Sequence, residues 1–297
     1  MVRLEGYSSL SKKQEDLLKL GFSYDRQALV TVTSDAPDLR FKARAAHLKP
    51  SATTPVLAST SVHFKKDLLT FTAKRRSDSL SHFIFEYTPK DLIPNLKFKS
   101  EARITHSASG DRVEPSATVD YSHTLGKAKL TVSDNPGVAK ASVTFGKPEY
   151  GVGLDGKFEF GLGRFTGYNV AGWWFRKHAK LVVKHVGTDK SNYAVGDCVM
   201  SYYQKLTPLT HLASLVKVNW PTKNTYIEVG GDYKYDDNTL LKAKTNSDGK
   251  VGLAFIHKLS SNLKVTLATE VDSKKVTSAS VTDYAFGFRL DFNHTKL

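Results

Sequence analysis

From about Asp25 to the C-terminus the chain alternates apolar and polar residues with a period of two, and this constrains its fold more than any other feature. Successive side chains of an extended strand point to opposite faces, so each such run makes a ribbon with one apolar and one polar side. Leu39, Phe41, Ala43 and Ala45 oppose Arg40, Lys42 and Arg44. Leu96, Phe98, Ala102 and Ile104 oppose Lys97, Lys99, Glu101 and Arg103, while Ala128, Leu130 and Val132 oppose Lys127, Lys129 and Thr131. Late in the chain Leu263, Val265 and Leu267 oppose Lys264 and Thr266, and Phe286, Phe288, Leu290 and Phe292 oppose Gly287, Arg289 and Asp291.

Short breakers separate the strips: Ser34 to Pro37, Pro89 to Asp91, Ser109 to Asp111, Ser133 to Gly137, Gly187 to Lys190, Asp236 to Asn238 and Ser247 to Gly249. Read as hairpin turns, they leave about nineteen strands of roughly nine to twelve residues, long enough to cross a bilayer when tilted. Strands of soluble sheets average about five or six residues. A helical membrane protein needs an apolar stretch of about twenty residues, and there is none here. A barrel needs no such stretch, because its strands show lipid only every second residue; a mean hydropathy of −0.33 is therefore compatible with a membrane home. Tyr87, Tyr121, Tyr150, Trp173, Trp174 and Trp220 lie near strip ends, where interfacial girdles form. The formal charge of +14 favours anionic partners. The alternation alone also suits a soluble sandwich whose cations face water.

One helix is legible. Ser11 can cap it, with Gln14 three residues on and Glu15 and Asp16 in the first turns, and Gly21 can end it. Leu10, Leu17 and Leu18 share a face, whereas Lys12, Lys13 and Lys19 lie away from it. About three turns, Ser8 to Leu20, are too short to hold alone and need an apolar support. The expected division is an N-terminal segment, 1–24, followed by an all-β transmembrane barrel, 25–297. Met1 to Gly6 has no apolar core of signal-peptide length, and the single Cys198 cannot form an internal disulfide.

Other chemistries find little support. Gly151, Gly153, Gly156, Gly161, Gly163 and Gly167 lack the Lys-Ser/Thr of a phosphate-binding loop and read as sites of barrel bending and close strand packing. The His residues show no paired ligand spacing, so no metal site and no cofactor are expected. No Ser, His and Asp set stands out, so no enzyme is expected. A nucleic-acid binder would interleave aromatics with its cations, but here Phe and Leu occupy the opposite face. Cations repeated along a pore wall would concentrate anions. Arg40, Lys42, Arg44, Lys97, Lys99, Arg103, Lys127 and Lys129 are the candidates.

Several stretches resemble the mitochondrial porins, the voltage-dependent anion channels, in their plant and protist forms. Leu10-Ser11-Lys12-Lys13-Gln14-Glu15-Asp16-Leu17-Leu18 is similar to that family's N-terminal helix. The stretch from Ser201 to Thr210 resembles a plant-type strand and turn, and Leu240 to Asp272, with Glu270-Val271-Asp272, resembles the final hairpins. The resemblance implies a nineteen-stranded barrel in the mitochondrial outer membrane, closed by a parallel pairing of first and last strands. Lys12, Lys13, Leu17 and Leu18 would then lie on a helix inside the lumen. The permeants would be small anions, metabolites and nucleotides such as ATP and ADP; membrane lipid and a homo-oligomer or larger complex are the expected partners. It also implies an insertion signal in the last strand, at Gly287, Phe288, Leu290 and Phe292, with Ala285 where a polar residue is usual.

The departures carry expectations too. The family's Gly-Leu-Lys stands here as Asn95-Leu96-Lys97, which keeps the Lys that would meet a nucleotide phosphate. Ala73 follows Leu69-Thr70-Phe71-Thr72 where animal members have a membrane-facing Glu, so gating or assembly that depends on that Glu is in question. The Gly-rich linker is reduced to Gly21-Phe22-Ser23, which is expected to restrict helix movement and voltage gating. Two rival roles on the same fold are the channel of the outer-membrane protein translocase and a structural subunit of a larger membrane complex.

Overall fold

The computed structural model describes residues 4–22, 26–48, 56–89, 95–134, 137–188, 196–275 and 284–295. Nineteen strands follow a short helix. The first seven are β1 (Arg26–Asp35), β2 (Leu39–Leu48), β3 (Val56–Lys66), β4 (Leu69–Arg76), β5 (Leu80–Tyr87), β6 (Leu96–Thr105) and β7 (Arg112–Ser122). Then come β8 (Gly126–Ser133), β9 (Val138–Gly146), β10 (Tyr150–Glu159), β11 (Arg164–Phe175), β12 (Ala179–Thr188) and β13 (Asp197–Lys205). The wall is completed by β14 (Thr210–Asn219), β15 (Asn224–Lys234), β16 (Thr239–Asn246), β17 (Lys250–Lys258), β18 (Leu263–Asp272) and β19 (Tyr284–Thr295).

Each strand pairs antiparallel with its sequence neighbours, and β1 pairs with β19 to close the ring. An odd number of alternating strands leaves the first and last pointing the same way, so the closing pair is parallel, with Val30 opposite Leu290 and Thr31 opposite Asp291. Closure removes the unpaired edges that an open sheet of this size would expose. Charge pairs gather beside the seam, on β18 and β19. Asp291, 4% exposed, receives Arg289 Nε at 2.9 Å and lies 3.5 Å from Lys264 Nζ.

The helix identifies the inside. Helix α1 (Lys12–Lys19) packs Leu17 and Leu18 on Ala213 of β14, with Tyr203 and Leu215 beside them. Register carries that face round the wall. The other face holds Phe41, Phe71, Phe85, Phe98, Leu130 and Phe286, all exposed, which is the arrangement lipid requires.

The helix is shorter than its sequence suggests: a 3₁₀ turn, Tyr7–Ser9, precedes it, and α1 itself covers Lys12–Lys19. Ser11 stands at the N-cap without the capping bond. Its hydroxyl instead donates to Glu15 Oε1 at 2.8 Å and accepts from Lys184 Nζ at 2.7 Å, so the side chain joins helix to wall. Trp173 is a second correction. It is not an interfacial residue but a buried one, packed inside with Leu4, Leu10, Ala171, Phe175 and Val182. Its ring passes over Gly151, where an added Cβ would lie 2.3 Å from it; over Gly153, an added Cβ would lie 3.0 Å from Tyr7. Gly151 thus makes room for the Trp173 ring, which clusters with Leu4 and Leu10, and Gly153 makes room for Tyr7. Met1 to Arg3, Ser23 to Asp25, and Lys90, Asp91, Asn135, Pro136, Asp189 and Lys190, which the sequence assigns to breakers, fall outside the described residues.

Candidate pore lining

Every cation singled out from the alternation has its Cα on the helix-bearing face. Arg44 stands opposite Thr31 and Lys42 opposite Thr33, on the parity of buried Leu29 and Thr31. Arg40 follows two residues back, beside Asp35, its carboxylate partner at 2.5 Å. On β6, Lys97 is opposite Asp120, Lys99 opposite Thr118 and Arg103 opposite Glu114; on β8, Lys129 is again opposite Asp120 and Lys127 opposite Ser122. The face is not uniformly basic. Glu101 pairs with Lys99 and lies 3.1 Å from His82 and 3.9 Å from Arg103, and Asp120 lies 3.6 Å from Lys127. Lys42, Lys97 and Lys129 make no ion pair among the described residues.

Along α1, Leu17 and Leu18 are buried, while Lys12 and Lys13 are exposed, with Lys13 Nζ 5.9 Å from the Tyr203 ring centre. The wall holds this segment through lysines that the alternation could not single out. Lys180 donates to Glu5 Oε1 at 2.6 Å, and Lys184 reaches Ser11. Lys242 donates to the carbonyls of Asp16, at 3.4 Å, and Leu20, so an ammonium caps the negative end of the helix. Phe22 is buried on Ala254 and Ala268, with Lys242 and Lys244 Nζ at 5.1 and 4.9 Å from its ring centre. The signal for this contact was a set of small residues on the polar face of neighbouring strands: Ala213, Gly230, Ala254 and Ala268.

Two N-terminal groups carry the imprint of that packing. Burial, and then the charge of Asp155, push Tyr7 up to about 12. Burial also lifts Glu15, but its bonds from Ser11 and Lys19 outweigh that and hold the carboxyl below its ordinary value.

The last strand shows the expected parity. Phe288, Leu290 and Phe292 alternate with Gly287, Arg289 and Asp291, and Asp291 faces the lumen side of the seam. Ala73 lies on the lipid side of β4, opposite Val62 and Phe83.

A profile of eukaryotic porins matches residues 6–287. The chain belongs to the eukaryotic porin family. Curated relatives agree along nearly their whole length. The "mitochondrial outer membrane protein porin of 34 kDa" of Solanum tuberosum is 27% identical, over 91% of this chain and 92% of the relative. "Mitochondrial outer membrane protein porin 5" of Oryza sativa subsp. japonica is 26% identical, over 90% and 91%, and the "voltage-dependent anion-selective channel" of Drosophila melanogaster 25%, over 90% and 92%. Among solved structures a mutant porin of Rh. blastica superposes with a TM-score of 0.51 at 8% identity, covering 82% of this chain and 92% of that one, a likeness of fold alone. This porin is a diffusion channel of the mitochondrial outer membrane, with lipid around its wall and small metabolites passing through it.

Proposed function

We propose that the channel passes anions in preference to cations, with nucleotides such as ATP and ADP among its larger permeants. The observation that carries this is the set of inward-parity cations without a carboxylate partner among the described residues, Lys42, Lys97 and Lys129, reinforced by Arg40, Arg44, Lys99, Arg103 and Lys127. A positive potential along a wide aqueous path raises local anion concentration and lowers the barrier to phosphate-bearing solutes without binding them tightly. No chemical step is required. The division into an N-terminal segment with its amphipathic helix, 1–24, and a transmembrane barrel, 25–297, belongs to the same reading, as does an insertion signal in β19. With Ala73 uncharged, a response that depends on an outer-wall glutamate is not expected, whereas self-association through other parts of the wall remains compatible with it.

The reversal potential of the purified channel in a KCl gradient tests the preference. It should take the sign of chloride selectivity, and Lys97→Glu with Lys99→Glu should move it toward potassium. Potassium preference in the unaltered channel would remove the role given to these cations.

A further inference from the structure

The wall opposite the N-terminal segment carries a feature that mean charge does not describe. The helix leans on β13–β15, and across the ring β2–β6 enclose a pocket of about 490 Å³ on the lumen side. Lys42, Arg44, Ser59, Ser61, Lys74 and Arg76 line it, with His82 and Arg103 at one edge and no carboxylate among the described lining residues.

Register makes the pocket an ordered array. One row runs from Lys42 to Ser61, Lys74, His82 and Arg103 on successive strands. The next runs from Arg44 to Ser59 and Arg76. In both rows a serine hydroxyl stands between cations on alternate strands, which lie two strand spacings apart, roughly 9–10 Å. The nearest acids reach only its edge: Glu101 pairs with Lys99 and lies 3.1 Å from His82 and 3.9 Å from Arg103, and Asp78 pairs with Arg76 beyond the end of β4, so Lys42 and Lys74 are the lining cations that make no ion pair among the described residues. Arg40 and Arg289 add to the positive field at Lys42, and Asp291 opposes it from the seam.

We infer that β2–β6 form a binding site for a chain of linked phosphates, the triphosphate of a nucleotide or an inorganic polyphosphate. The inference rests on the anion-channel reading and makes it specific. Guanidinium groups hold phosphate oxygens through paired donors, ammonium groups act as point charges, and serine donates to the bridging region. A single phosphate reaches one part of the array at a time. A linked chain can engage cations of both rows at once, and so stays longer in a pore that a small anion simply crosses.

The test is single-channel recording with inorganic tripolyphosphate as the probe, then ATP, with inorganic phosphate as the comparison. Tripolyphosphate should reduce the open-channel current saturably, at a concentration at least tenfold below that needed of inorganic phosphate. Lys42→Ser with Lys74→Ser should raise the half-effective concentration at least tenfold. Lys129→Ser with Lys140→Ser, which removes the same charge from β8 and β9, should raise it less than threefold while reducing chloride preference to a similar degree. Single-channel conductance verifies that each variant forms a barrel. Equal shifts from the two pairs, a reduction that never saturates, or equal potency of inorganic phosphate would overturn the site while leaving the anion-channel reading intact. Potassium selectivity of the unaltered channel in KCl would instead bring down the underlying reading.

Discussion

Asn95 shows how a residue-level departure from the family pattern is absorbed. It stands where the resemblance to mitochondrial porins leads one to expect glycine, and its backbone has φ +69°, the left-handed region that glycine enters freely. Asparagine is among the few other residues that tolerate this conformation, so β6 can begin at Leu96 with Lys97 on the inner parity. Asn95→Ala should therefore lower stability by about 1 kcal/mol, because alanine keeps the Cβ strain of the left-handed region without the short polar side chain that lets asparagine tolerate it, whereas Asn95→Gly should change it by less than about half of that. Urea unfolding of the detergent-solubilised barrel would register both, and equal loss from the two variants would contradict the strain argument. Trp173 illustrates the limit of reading at this scale. Near a strand end it looks like a girdle residue, because alternation assigns a face but does not name which face holds lipid. What turns it inward is the missing side chain at Gly151 on the neighbouring strand, a long-range fact that composition signals only as an excess of glycine.

At the scale of elements, the position and the leucines of α1 were legible, but the missing capping bond and the attachment were not. The lysines that hold it, Lys180, Lys184 and Lys242, occupy the same alternating positions as those that face open water, so no local pattern separates them. Tyr7 offers a pH handle on the docked state. Its pKa rises from 10.0 to about 12, because burial and Asp155 disfavour the phenolate in the docked segment. A raised folded-state value means that the docked segment holds the proton more tightly than the released one. The contribution of Tyr7 to docking is thus complete below about pH 10 and is lost as pH climbs toward 12. The tyrosinate absorbance of the wild-type channel, less that of Tyr7→Phe, should show an inflection well above pH 10. An inflection at the ordinary value would mean that the segment does not rest against β9 and β10 as described. The phenol oxygen is buried without a hydrogen-bond partner among the described residues, so Tyr7→Phe should itself leave docking intact or slightly stronger.

At the scale of the whole molecule, strand number and the two faces were readable because lipid and water impose opposite demands on alternate residues, and the turns punctuate the count. The parallel seam follows from that odd count, and β19 is the element on which closure depends: it must join β18 on one side and β1 on the other. We propose that the same strand directs insertion, since Phe288, Leu290 and Phe292 make an apolar face on an amphipathic strand that can add by edge pairing to an assembly machine. Charge on that face should block the process, because a carboxylate turned toward lipid must be buried or protonated, whereas charge on the inner parity remains in water. Leu290→Asp with Phe292→Asp should therefore prevent formation of a protease-resistant barrel on import into isolated mitochondria and leave the protein extractable by carbonate. Ala285→Asn with Asn293→Asp, placed on the alternate positions of the same strand, should assemble at least half as well as the wild type. If the first pair assembled normally, β19 would not carry the signal. If both pairs failed alike, the strand would be intolerant of polarity in general, and recognition would have to be sought in another hairpin.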